Sequence, residues 1–207
     1  MNILVVAATQ MEIAPFQLTN KTMDILITGV GVAPTIYHLT KKLSATKYDL
    51  VIQAGIAGSF IKELIMGEVV MVEKDTFADA AIIENEKIIT LFEAGLSKNE
   101  PPFENGWLYN NHSKFSNSLL KRVTSITINT ISDSARQKAR YLEKFSPDIE
   151  SMEGAGFHYV CLYEQVPFLQ LRSISNEVGI RDKGQWQIKD AIYNLCDELE
   201  KFVTTLN

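Results

Sequence analysis

Glu12, Glu153 and Asn176 are the residues of this chain whose types and placement point to chemistry. Glu12 follows directly on an apolar run at residues 3–8, so it falls at the carboxyl end of a predicted strand. Glu153 appears where an extended stretch turns into the Gly/Ala-rich start of a helix. Asn176 belongs to a polar cluster, Arg172-Ser173-Ile174-Ser175-Asn176, that leaves a second apolar run at residues 166–171. In an open, mostly parallel sheet, ligands sit beyond the carboxyl ends of the strands. Three strand ends then deliver the three groups to one side of the sheet. A carboxylate within hydrogen-bond reach of a bound water takes its proton as the water attacks. A second carboxylate stabilises a cation as it develops, and a carboxamide donates to ring nitrogens or a carbonyl oxygen. Taken singly, Glu12 reads equally as an N-capping glutamate, Glu153 as a partner of the helix dipole and Asn176 as a turn former.

The elements that must position these groups alternate between strand and helix. Strands are expected at residues 3–8, 24–28, 49–54, 67–74, 123–128 and 166–171, with a hairpin at 80–91. Helices are expected at 32–43, 135–145, 154–164 and 186–202. Pro34 falls in a first helical turn, where its missing N–H costs nothing, and Ser134 or Asp133 can cap the helix at 135. This alternation predicts an α/β fold with three layers, a central mixed sheet flanked by helices. No repeat, low-complexity tract or linker divides it, so one domain over residues 1–207 is expected. Gly55-Ile56-Ala57-Gly58-Ser59 reads as a loop whose glycines let the backbone approach a ligand, and whose N–H groups and Ser59 hydroxyl can hold a sugar oxygen, a water or an anion. Gly29-Val30-Gly31 reads as a tight turn or as backbone close to a ligand. The irregular stretch 93–111 carries Phe103, Trp107 and Tyr109, which pack locally, cover a ligand or meet a second subunit.

Composition excludes several classes. With 20 basic and 25 acidic residues mixed along 207, the net charge of −5 leaves no basic stripe for a nucleic acid. No stretch approaches the roughly 18 apolar residues that span a bilayer, and the N-terminus lacks a signal-peptide pattern. Cys161 and Cys196 sit at apolar helical positions without metal-ligand spacing, so no metal is expected and a reducing, cytoplasmic setting is.

Ser151-Met152-Glu153-Gly154-Ala155, followed by Val166-Pro167-Phe168 and Arg172-Ser173-Ile174-Ser175-Asn176, resembles the purine nucleoside phosphorylase/uridine phosphorylase superfamily, most closely its nucleosidases. Gln10-Met11-Glu12 and Gly55-Ile56-Ala57-Gly58-Ser59 agree, so the likeness spans nearly the whole chain. Nucleosidases end the second block in Asp. Asn176, with Gly179, Arg181, Asp182 and Trp186 beyond it, looks instead like the futalosine hydrolase branch. The Gly-Asp-x-Phe-Ile stretch whose Phe stacks on the base has no counterpart near 129–134.

The resemblance implies cleavage of an N-glycosidic bond without a cofactor, and a small-molecule nucleoside as partner. Glu12 becomes the general base, and Glu153 with the Met152 backbone holds the ribose hydroxyls. Asn176 donates to N7 and O6 of a 6-oxopurine, while Gly55 and Ser59 hold substrate from the glycine-rich stretch. Arg181 reads a carboxylate on the substrate's 5′ tail. A homo-oligomer, with a dimer favoured, is the family's common state. A 6-oxopurine nucleoside phosphorylase and a non-catalytic nucleoside-binding protein are the alternatives.

Overall fold

The computed structural model describes residues 1–110, 119–180, 184 and 186–206. In chain order the elements are β1 (Ile3–Ala7), α1 (Gln10–Thr19), β2 (Asp24–Ile27), α2 (Val32–Ala45), β3 (Leu50–Ser59), β4 (Val69–Asp75), β5 (Ala81–Glu84), β6 (Lys87–Thr90), β7 (Leu108–Tyr109), β8 (Arg122–Thr127), α3 (Ala135–Phe145), β9 (Ile149–Ser151), α4 (Gly154–Tyr163), β10 (Phe168–Glu177) and α5 (Ile188–Leu206).

Strand alternation builds the layers. Ile3, Val5 and Ala7 of β1, with Leu50 and Ile52 of β3 and Leu169 and Leu171 of β10, face α1 and α5 through Ile13, Phe16, Leu195 and Leu199. Their neighbours Leu4, Val6, Val51 and Phe168 point to the other face, against Leu39 of α2 and Phe157 and Val160 of α4. Period-two side chains on strands buried on both faces therefore feed two cores. The expected three-layer α/β architecture with a mixed central sheet is the one observed.

The sheet also folds back on itself, which was not expected. Its order is β10-β4-β8-β9-β3-β1-β2, with β10 additionally paired to β3. The β3–β10 ladder is parallel from Phe168↔Val51 to Glu177↔Ser59. Gly55–Ser59 and Arg172–Asn176, expected as loops, are consequently strand. Each supplies the backbone partners that a buried extended segment needs, and the polar side chains of β10 turn into the site instead of solvent. A register shift between Ile174 and Asn176 breaks the alternation where Asn176 is presented.

The aromatics of the 93–111 stretch pack locally. Phe103 meets Phe77, Phe92 and Tyr159, and Trp107 stands edge-on to Phe145 with the Lys74 ammonium 4.5 Å from its ring centroid. They line a separate recess with Thr76, Gly106 and Leu91. His112 lies outside the described residues. Cys161 and Cys196 are buried free thiols, both with pKa raised chiefly by burial.

Gly154 opens α4 against a buried polar cluster. A Cβ there would press into Asp75 Oδ2 and Gln170 Nε2 and lie 2.9 Å from Ser151 Oγ. Gly154→Ala is expected to cost about 2 kcal/mol, by overpacking, and to lower Tm by roughly 4–8 °C for a chain of this size. Differential scanning calorimetry checks it, and an unchanged Tm would show that the cluster yields freely.

Candidate active site

The capping reading of Glu12 and its placement in a cavity prove compatible. Thr9 is the N-cap of α1, and its hydroxyl oxygen accepts the Glu12 N–H in a capping box. Glu12 Oε2 accepts the Thr9 N–H and hydroxyl, each at 2.9 Å, while Oε1 accepts the Ile56 N–H at 3.3 Å. Glu12 is thus pinned by its own helix start and by β3, and is 6% exposed.

Glu153 behaves differently from the expected helix-dipole partner. It occupies the N-cap of α4 but makes no side-chain capping bond. Its Oε1 accepts the Gly31 N–H at 3.0 Å, and Oε2 lies 3.5 Å from Arg172 Nη1. Gly31 can offer that N–H because it and Gly29 hold φ of 99° and 89°, the left-handed region open to glycine. The Gly-x-Gly turn therefore serves the carboxylate across the sheet, and Val30 between the glycines reaches the cavity wall. Burial raises the Glu153 pKa, helped by the nearby Glu12 charge. Arg172 and the Gly31 amide pull it the other way without prevailing.

Arg172, only 1% exposed, is buried beside Glu153. Besides Glu153 it donates to Gln53 Oε1 at 2.9 Å and to the Ile56 carbonyl at 3.4 Å. A Cβ on Gly55 would collide with Arg172 Nη1 and lie 3.2 Å from Glu12 Oε1. Both charged groups thus crowd one point, and Gly55 is what leaves them room.

These groups border one open cavity of about 200 Å³. Glu12, Met152, Glu153 and Asn176 are on its wall, with Ser151, Gly58, Ile131 and Trp186. Asn176 Oδ1 accepts the Ser175 hydroxyl at 2.9 Å, and its Nδ2 donates to the Glu177 carbonyl at 3.2 Å. Among the described residues nothing accepts its second amide hydrogen.

Two residues expected to hold substrate are not on this wall. Ser59 is off the wall: its hydroxyl donates to the Ile61 carbonyl at 2.7 Å and accepts the Ile61 N–H at 3.2 Å, so it closes a turn. Gly55 is likewise off the wall, where it leaves space for Arg172 and Glu12. Arg181 and Asp182 lie outside the described residues.

Two wall residues had no role in the sequence reading. Trp186 presents its ring to the cavity while its indole N–H donates to the Ile180 carbonyl at 3.2 Å. Glu150, on β9, is 5% exposed and also on the wall. An acid in the middle of a three-residue strand buried throughout is the signal that could have marked it.

Fold and site agree with the phosphorylase superfamily, whose family model matches residues 7–206; the chain belongs to that superfamily. Among its relatives are futalosine hydrolases of Streptomyces coelicolor, 29% identical and covering 88% of this chain and 79% of the relative, and of Thermus thermophilus, 25% identical and covering 86% and 80%. Solved structures of 5′-methylthioadenosine/S-adenosylhomocysteine nucleosidase and of futalosine hydrolase, both from Helicobacter pylori, superpose with TM-scores of 0.81 and 0.80. Each is 17% identical and covers 98% of this chain and 97% of its own, a likeness of fold.

Proposed function

We propose that this protein is a cofactor-independent hydrolase that splits futalosine into hypoxanthine and dehypoxanthine futalosine, a step of menaquinone biosynthesis. The observation that carries this reading is the convergence of Glu12, Glu153 and Asn176 on one sugar-sized cavity. In the proposed reaction a water oxygen attacks C1′ of the ribose as the C1′–N9 bond breaks and its electron pair leaves with the purine. Glu12, fixed by three donors, takes the water's proton. Glu153 and the Met152 backbone hold the ribose hydroxyls, and the Glu153 charge stabilises the oxocarbenium character at C1′. The remaining Asn176 N–H donates to N7 or to the 6-oxo oxygen of the base. Relatives named for futalosine hydrolysis, over most of both chains, support the same substrate.

Phosphorolysis by a 6-oxopurine nucleoside phosphorylase is the competing reading. Phosphate needs charge-assisted donors, and among the described residues on the cavity wall none is Lys, Arg or His. The carboxylate of Glu12 stands instead where an anion would be repelled and a water suited. The experiment incubates the protein with futalosine, inosine and methylthioadenosine, with and without phosphate, and follows base release. Hypoxanthine from futalosine at the same rate in both buffers is expected, with the other two nucleosides cleaved more slowly. Strict phosphate dependence would establish the phosphorylase, and no release from any nucleoside would leave a binding protein.

The reading also places the protein in the cytoplasm as a homo-oligomer, a dimer favoured, which sedimentation equilibrium tests.

A further inference from the structure

The reaction proposed above consumes one proton at the departing purine, and Asn176 has none to give, since a carboxamide is not an acid at physiological pH. Glu150 stands beside it. A Cβ on Gly58 would lie 3.1 Å from Asn176 Nδ2 and 3.5 Å from Glu150 Cγ, so the two side chains flank the same point of the cavity floor. Glu150 Oε1 accepts the Ser132 N–H at 3.4 Å, while Oε2 is buried with no hydrogen-bond partner among the described residues. A buried carboxyl oxygen left unbonded is costly, and the residue that carries it is on the cavity wall.

We infer that Glu150 is the general acid that protonates the leaving purine, an assignment that rests on the nucleoside-hydrolase reading of the site. As C1′–N9 breaks, the Glu150 carboxyl proton passes to a ring nitrogen of the purine and leaves a carboxylate. Glu12 meanwhile gains the proton of the attacking water. Exchange with solvent returns one proton to Glu150 and removes one from Glu12, so the cycle closes without a co-reactant.

The electrostatic setting suits a proton donor. Burial pushes the Glu150 pKa up to about 7; the Ser132 amide and hydroxyl and the Lys138 ammonium oppose the rise. Lys138 faces it from α3 but is itself paired to Glu177 at 2.7 Å, and Tyr141 of the same helix is another titratable neighbour. The acid is thus still protonated near neutral pH, where its transfer is most effective.

The test is Glu150→Gln, which keeps the shape and removes the proton. On futalosine, kcat is expected to fall about 10²-fold with KM within about threefold, and the wild-type loss of kcat/KM above about pH 7 should disappear. On p-nitrophenyl β-D-riboside, whose leaving group departs as a stable anion, the variant should match the wild type within about threefold.

Folding has its own check. A carboxyl whose pKa rises on folding from 4.5 to about 7 makes the protein lose stability as pH climbs through that window. The amide should flatten this decline and melt no lower than wild type at pH 8. Full activity of the variant on futalosine, a loss confined to KM, or an equal loss on both substrates would overturn the assignment. If instead the wild type released no hypoxanthine from futalosine, the hydrolase reading itself would fail.

Discussion

Glu12→Gln is expected to lower kcat for hypoxanthine release by about 10³-fold, in the middle of the range for removing a positioned general base. The carboxylate has little freedom: Thr9 and Ile56 supply three donors to its two oxygens. Glutamine fills the same volume, yet its NH₂ must face either the Thr9 pair or the Ile56 N–H, donor against donor. A stability loss of about 1–2 kcal/mol follows from the unmet bond, too little to unfold a typical domain. KM for futalosine should stay within about threefold, because the lost interaction serves the attacking water rather than the bound nucleoside. Single-turnover kinetics with a parallel thermal melt separate the two effects. A variant within tenfold of wild type would remove Glu12 from the chemistry.

Asn176→Asp is expected to invert the choice of base. Ser175 holds the amide oxygen and the Glu177 carbonyl takes one amide hydrogen, which fixes the single N–H that meets the purine. Against a 6-oxopurine that donor is matched. Against a 6-aminopurine it meets another donor, and polar mismatches of this type discriminate by orders of magnitude. An aspartic acid at the same place, its charged form disfavoured by burial, donates its one O–H to the purine and accepts the 6-amino hydrogen through its other oxygen. The ratio of kcat/KM for the 6-amino analogue of futalosine over futalosine should rise about 10²- to 10³-fold. Paired assays of base release measure it. An unchanged ratio would mean that position 176 does not read the sixth position of the base.

Much of the layer plan was legible along the chain because the signals are local. Near-continuous apolar runs in 3–8 and 49–54 announce strands buried on both faces, and Ser134 marks the start of α3, whose observed span is Ala135–Phe145 with the cap bond in place. The candidate residues followed from motif and strand-end position, and Glu12, Met152, Glu153 and Asn176 do share one cavity. Ser59 and Gly55 were misplaced because a Gly/Ser-rich segment looks like a loop until a partner strand is known. The partner, β10, lies more than a hundred residues away.

By itself the sequence determined the α/β class, the order of the elements and which acids and amide to suspect, since periodicity, caps and motifs act over a few residues. Only the tertiary structure decided that β3 and β10 run on as paired strands, that Arg172 sits buried against Glu153, and that Glu150 joins the wall with one carboxyl oxygen unbonded among the described residues. Those outcomes depend on long-range register and on burial, and both arise only when distant segments close on one another and exclude water.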